Sequence, residues 1–245
     1  MNKNIFREYD IRGVYPKDLN EDTYFEIGNA IAAKCNQLSI DSIVIGRDGR
    51  LSGEPLMNAL KNSLLSNGIS VENIGIVTSP LLYYAAKKHS SKSGIMVTGS
   101  HNPKEYNGIK MIINDEPVSG KEIFELISTP NSASSKGTST INEDVINNYI
   151  EEVKSKSIQS KYEIKVVIDC GNGAAGVIAP KLFAALGFNV VEIYSEVDGN
   201  FPNHHPDPGN PENLKDLSDK VLNEKANIGL AFDGDGDRLG VVDNE

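Results

Sequence analysis

The chain contains no tryptophan and only two cysteines and four methionines in 245 residues, and it has no apolar run long enough to cross a bilayer. The two cysteines, Cys35 and Cys170, are far apart in sequence, which excludes a disulfide framework or a cysteine-based metal knuckle. The opening from Met1 to Gly13 carries charges but no apolar core, so no signal peptide is expected and a reducing cytoplasm is the expected location. Positive charge is also scarce: 24 basic against 34 acidic residues leave a net charge of −10. That balance argues against nucleic acid or an anionic membrane as partner. What remains, 39% hydrophobic and 24% charged residues, is the profile of a globular chain long enough for one large domain or two ordinary ones.

Arginine is the rarer of the two cations, with five against nineteen lysines. All five (Arg7, Arg12, Arg47, Arg50 and Arg238) fall in short segments rich in glycine and aspartate: FREYDIRG, GRDGR and DGDGDR. A guanidinium fork suits phosphate, so this placement is compatible with an anionic ligand. Pairing with neighbouring aspartates explains it equally well.

Two segments read as strand, turn, helix, strand. In the first, the apolar run from Ser42 to Ile45 leads through GRDGRLSGEP into a helix from about Leu56 to Leu65, with Leu56, Leu60 and Leu64 on one face. Asn67-Gly68 ends it, and Ile69 to Val77 reads as the next strand. In the second, KVVID, CGNGAAG, a helix to Leu186, Gly187 as its stop and FNVVEIY repeat the scheme. This alternation predicts parallel α/β sheets with right-handed crossovers. The polar stretch from Ser128 to Thr140 reads as the connection between two α/β domains, 1–140 and 141–245. A helix from Val145 to about Val153 follows, and strands at Asn227–Phe232 and Leu239–Val242 flank the DGDGDR loop.

That loop carries the most specific chemistry. Asp233, Asp235 and Asp237 alternate with glycines, and three such carboxylates repel one another unless a cation sits among them. Oxygen ligands of this kind suit magnesium or calcium. An EF-hand is excluded, because its sixth and twelfth positions would be Arg238 and Asn244 and its flanks are β-like. In TGSHNP a strand runs into a loop that sets Ser100 beside His101; alone, this reads as a turn. Tyr106-Asn107-Gly108 reads as another turn, with Lys110 opening the strand IKMII. GNGAAG at 171–176, with Glu192 following 21 residues after Gly171, imitates a dinucleotide fingerprint. Asp169 and Cys170 interrupt the junction between its strand and first glycine, which favours a plain tight turn; a non-catalytic nucleotide- or phosphate-binding protein is the alternative to an enzyme. His204-His205, among prolines and without a third ligand nearby, reads as an irregular loop.

Taken together, FREYDIRG, GRDGRLSG, TGSHNP, YNGIK, VVIDCGNGAAGVIAP, VDGNFPNHHPDP and DGDGDR resemble, in this order, the α-D-phosphohexomutase family and its phosphomannomutase/phosphoglucomutase branch. The resemblance implies two consecutive α/β domains with mixed, mostly parallel sheets, the first bearing a phosphoserine and the second a metal loop. It implies Ser100 as that phosphoserine, and Mg2+ held by Asp233, Asp235, Asp237 and an oxygen on Ser100. Arg238, Arg12 and Lys110 would surround the transferring group, Tyr9 would line the same cleft, and Lys110 or His101 would manage the proton of the sugar hydroxyl. The implied ligands are a hexose phosphate, of mannose or glucose, and a hexose 1,6-bisphosphate intermediate. Members of the family carry two further domains, so residues 1–245 are expected to be an amino-terminal half that turns over sugar phosphate poorly alone.

Overall fold

The computed structural model describes residues 1–130, 135–158 and 161–244. The first sheet has seven strands: β1 (Ile11–Val14), β2 (Ser42–Arg47), β3 (Ser70–Ile76), β4 (Gly94–Val97), β5 (Tyr106–Ile113), β6 (Glu116–Pro117) and β7 (Ser139–Ile141). Their order is β1-β5-β4-β2-β3-β7, with β6 paired to β5. Pairings among β4, β2, β3 and β7 are parallel, and those of β5 with β1, β4 and β6 are antiparallel. Helices α1 (Glu21–Gln37), α2 (Gly53–Ser66), α3 (Ser79–Lys88) and α4 (Gly120–Glu125) connect them.

Successive residues of a strand point to opposite faces, and a sheet covered on both sides needs apolar residues at every position. In β2, Ile43 and Ile45 enter a core with Tyr24, Ile27 and Ile31 of α1 and Leu56, Leu60 and Leu64 of α2. Val44 enters the opposite core with Leu81 and Leu82 of α3. That second core also takes Val145 and Ile150 from α5 (Val145–Lys156), so α5 packs on the helix layer of the first sheet. Tyr84 and Tyr149 meet edge-on there, with ring centroids 4.9 Å apart.

The second sheet comprises β8 (Lys165–Asp169), β9 (Asn189–Ile193), β10 (Ile228–Phe232) and β11 (Leu239–Val242), in the order β11-β10-β8-β9. Pairings of β8 with β9 and β10 are parallel, and β10–β11 is an antiparallel hairpin. α6 (Ala179–Ala185) supplies Ala179 and Phe183 to one face, and α7 (Lys215–Glu224) supplies Leu217 and Val221 to the other. Both cysteines are buried and unpaired, Cys35 in the first sheet's core and Cys170 in the second's. Among the described residues, no helix is long and apolar enough to cross a membrane.

Two expectations need correction. Tyr106-Asn107-Gly108 is not a turn: β5 begins at Tyr106, because β1 offers antiparallel partners Val14, Gly13 and Arg12 to those three residues. Lys110 therefore sits within a strand rather than at its start. The approach of β1 requires glycine at 108, where a Cβ would stand 2.1 Å from the Ile11 carbonyl oxygen. The polar stretch from Ser128 to Thr140 is not purely a connection either, since it runs into β7, which adds to the sheet beside β3. Residues 131–134 of that stretch lie outside the described residues.

Candidate functional site

Loops at the carboxyl ends of the parallel strands of both sheets meet at one place, where binding crevices of α/β sheets form. From the first sheet come the loops after β2 (Asp48, Arg50), β3 (Thr78, Ser79) and β4 (Thr98 to Pro103). From the second come the 169–173 turn after β8 and the 233–238 turn between β10 and β11. Glycine permits the contact. At Gly234 a Cβ would lie 2.5 Å from the carbonyl oxygen of Ser100, and Gly236 takes a positive φ of 70°.

Ser100, 133 residues before Asp233, donates its hydroxyl to Asp233 Oδ2 at 3.1 Å. Its Oγ lies 3.3 Å from His101 Nδ1. The serine holds a left-handed backbone, φ 50°, which is strained for a residue with a Cβ and persists only where the surroundings impose it. The other oxygen of Asp233 accepts the backbone amides of Asp237 at 3.0 Å and Arg238 at 3.1 Å. Asp235 Oδ2 accepts from Ser79 Oγ at 2.5 Å and Lys110 Nζ at 2.8 Å, and Lys110 also reaches Asp237 Oδ2 at 2.5 Å.

One ligand atom from each of Asp233, Asp235 and Asp237 falls within 4.8 Å of the others, and the first two residues are fully buried. Burial together with the charges of Asp235 and Asp237 pushes the Asp233 carboxyl up to about 7. Burial also opposes ionisation of Asp235, but Lys110 and Ser79 overcome it and hold that carboxyl below its ordinary range. Asp235 Oδ1 is buried with no hydrogen-bond partner among the described residues. An orphaned carboxylate oxygen beside two more carboxylates is the donor set of a hard divalent cation. The group is therefore able to hold a metal, with the Lys110 ammonium supplying the only cation in contact with Asp235 and Asp237 among the described residues.

Lys110 itself is partly desolvated, yet the two carboxylates raise its pKa above the ordinary value. His101 moves the other way: burial and the nearby Arg238 and Arg12 lower its pKa below the ordinary value, partly opposed by Asp207 and Asp235. Arg12 is 4% exposed and clasped by Asp10 Oδ2 at 2.6 Å, with Nη1 donating to the Thr98 carbonyl. Arg238 is exposed at the rim. Tyr9, 83% exposed, lines an open cleft of about 560 Å³ together with Lys110, Asp237 and Tyr83.

All nine residues singled out from the sequence thus lie in or beside this cluster. Sequence reasoning missed Ser79, the hydroxyl donor to Asp235, although Thr78-Ser79-Pro80 at a strand end is a helix-start signal. The GNGAAG segment forms a tight 3-10 turn over 174–177, and Ala174 N donates to the Gly234 carbonyl. Gly173 packs against Gly234 of the acidic loop, while Gly171 lies against Pro206 and Gly176 against the Ser195 carbonyl. His204 Nε2 lies 2.9 Å from Asp169 Oδ2, and His205 Nε2 lies 2.6 Å from the His101 carbonyl, so these imidazoles fasten a loop.

Comparison with known proteins gives the family. The family profile described as phosphoglucomutase/phosphomannomutase, alpha/beta/alpha domain I matches residues 3–135, and that of domain II matches residues 147–245. A phosphomannomutase/phosphoglucomutase of Pseudomonas syringae pv. tomato is 49% identical over 243 residues, 98% of this chain and 52% of that protein. A phosphoglucomutase of Neisseria gonorrhoeae is 48% identical over 244 residues, 98% of this chain and 53% of its own length. The crystal structure of a phosphoglucomutase/phosphomannomutase family protein from Burkholderia thailandensis superposes with a TM-score of 0.93 at 40% identity, covering 100% of this chain and 55% of that one. The chain spans about half the length of these relatives. None of them lends support to a non-catalytic nucleotide-binding protein. Sheet order, clustered carboxylates and sequence matches converge: the chain belongs to the phosphoglucomutase/phosphomannomutase family.

Proposed function

We propose that this chain carries the phosphoryl-transfer site of a hexose-phosphate mutase, which moves phosphate reversibly between the 1- and 6-positions of mannose or glucose phosphate. The supporting observation is the approach of Ser100 Oγ to Asp233 Oδ2, 3.1 Å across the junction of the two sheets. Ser100 is the residue that carries the phosphoryl group. In the forward half-reaction the free hydroxyl of the hexose phosphate attacks phosphorus as its proton passes to a base, the bond from phosphorus to Ser100 Oγ breaks, and the departing serine oxygen takes up a proton in turn. The hexose 1,6-bisphosphate so formed returns its other phosphate to Ser100 by the reverse steps.

Asp233, Asp235 and Asp237 would hold the metal together with an oxygen on Ser100, and Mg2+ fits their all-oxygen set. When bound, the ion supplies charge neutralisation to the transferring phosphoryl group. Of the two candidates for the sugar proton, His101, whose pKa burial lowers, suits acceptance. Lys110, held as an ammonium, suits charge neutralisation alongside Arg12 and Arg238, with Tyr9 on the cleft wall. A domain division near residue 140 and a cytoplasmic location complete the reading.

The test is intact mass before and after incubation with glucose 1,6-bisphosphate and Mg2+. One phosphate should be gained, and Ser100→Ala should gain none. No gain in the unmodified chain, or an equal gain in the variant, overturns the assignment.

A further inference from the structure

Arg50 is a large, fully buried side chain, 1% exposed, and every one of its five donors is used. Nε donates to Asp48 Oδ2 at 3.1 Å. Nη1 donates to the carbonyls of Pro103 at 2.6 Å and Tyr106 at 3.0 Å, and Nη2 to those of Ser100 and Asn102, both at 2.7 Å. A phosphate therefore finds no free donor on it, and the anion-binding reading of this arginine falls away.

The guanidinium instead does for the serine loop what a neighbouring strand does for a sheet. The loop from Ser100 to Lys104 lies outside the ladder, yet its carbonyls at Ser100, Asn102 and Pro103, with that of Tyr106 at the start of β5, converge on one planar fork. Asp48 completes the arrangement: its Oδ2 also accepts from Thr98 Oγ1 at 2.7 Å and Gly99 N at 3.0 Å. Gly99 is required because a Cβ there would stand 2.2 Å from the guanidinium carbon. Across the junction, the ring of Phe201 faces the guanidinium, with its centroid 5.3 Å away. Ser100 needs such restraint, since its left-handed backbone must be imposed from outside.

We infer that Arg50 is a positioning residue for phosphoryl transfer: by gathering the carbonyls of Ser100, Asn102, Pro103 and Tyr106 it holds the serine backbone so that Oγ points at the acidic loop. The inference rests on the reading of Ser100 as the phosphoryl carrier. Lysine cannot replace the fork, because an ammonium offers three donors from a single point.

The experiment compares the full chain with R50K by the rate of phosphate uptake from glucose 1,6-bisphosphate, by Mn2+ titration and by amide exchange. Displacing the hydroxyl by roughly 1 Å lowers the uptake rate about 100-fold, while Mn2+ still binds, weakened at most about 10-fold by the shifted Ser100 oxygen, because the three aspartates lie on another loop. Amide exchange should quicken in 98–106 and stay unchanged in β2 and β4. Uptake within about threefold of the parent overturns the proposal. So does exchange that quickens throughout the first sheet together with loss of Mn2+ binding, which marks a purely structural role. Should R50K not fold, Phe201→Ala, which frees one face of the fork, is expected to slow uptake about fivefold, and an unchanged rate there counts against the idea. If the parent itself takes no phosphate, the Ser100 reading fails, and exchange in 98–106 alone decides whether Arg50 holds the loop.

Discussion

Asp235 presents Oδ2 to Ser79 and Lys110 while its Oδ1, equally buried, accepts from nothing among the described residues. Asp235→Asn keeps the shape but removes the charge a cation needs. Mn2+ or Mg2+ affinity, read by calorimetry, should fall by at least about 10- to 100-fold, the range seen even for outer-shell changes. Asp233 gives the pH dependence. Its folded carboxyl titrates near 7 and its unfolded one near 3.8, so the unfolded chain releases the proton first as pH rises. Stability of the metal-free protein should therefore fall between those values. Metal binding must expel that proton, so Mg2+ should raise Tm more at pH 7.5 than at pH 5.5. Equal gains at the two pH values would contradict the assignment. The three aspartates were legible because alternating carboxylates have few other uses. Asp10 and Asp48 do what pairing with neighbouring arginines foretold, holding Arg12 and Arg50, whereas Ser79 was hidden, because a lone hydroxyl in a turn looks the same whether it caps, pairs or positions.

Elements with a clean period were legible: β8 spans the KVVID segment, and α2 extends the predicted helix to Gly53–Ser66. The start of β5 and all of β7 were hidden by turn-forming residues, because their strand character comes from partners rather than propensity, β1 for Asn107-Gly108 and β3 for Ser139–Ile141. The loop bearing His204 is irregular, as read, but its fixed attachment to the end of β8 left no trace in the sequence. Burial disfavours the charged ring, but the Asp169 hydrogen bond outweighs it and raises the His204 pKa above 6.5. A raised histidine pKa adds stability below its unfolded value, and that stability is lost as pH climbs through the folded one. With Mg2+ saturating, so that Asp233 no longer contributes, Tm should decline from pH 6 toward pH 8. His204→Gln should flatten that decline. An identical slope in the variant would mean the pair carries no charge.

At the scale of the molecule, the site exists only because two sheets meet through residues without side chains. Gly49 leaves room for Val197, Gly199 lies against the backbone of 49–51, Gly236 lies against Thr78, and Gly234 lies against the Ser100 carbonyl. Sequence patterns gave each sheet separately, but not this junction, because a glycine demanded by close approach looks the same as one demanded by a turn. Gly234→Ala separates the two demands. Its φ lies outside the left-handed region, so alanine fits the local backbone, yet the added Cβ would stand 2.5 Å from the Ser100 oxygen and one loop must retreat. The three aspartates stay on one hairpin turn and should still bind Mn2+, weakened at most about 10-fold by the shifted Ser100 oxygen. The serine should then accept phosphate about 100-fold more slowly, as a shift of roughly 1 Å dictates. Mn2+ titration and phosphate uptake measured on the same preparation decide it. Loss of metal binding would show that Gly234 serves the acidic turn itself, whereas unchanged uptake would show that the two loops need not touch for the serine to react.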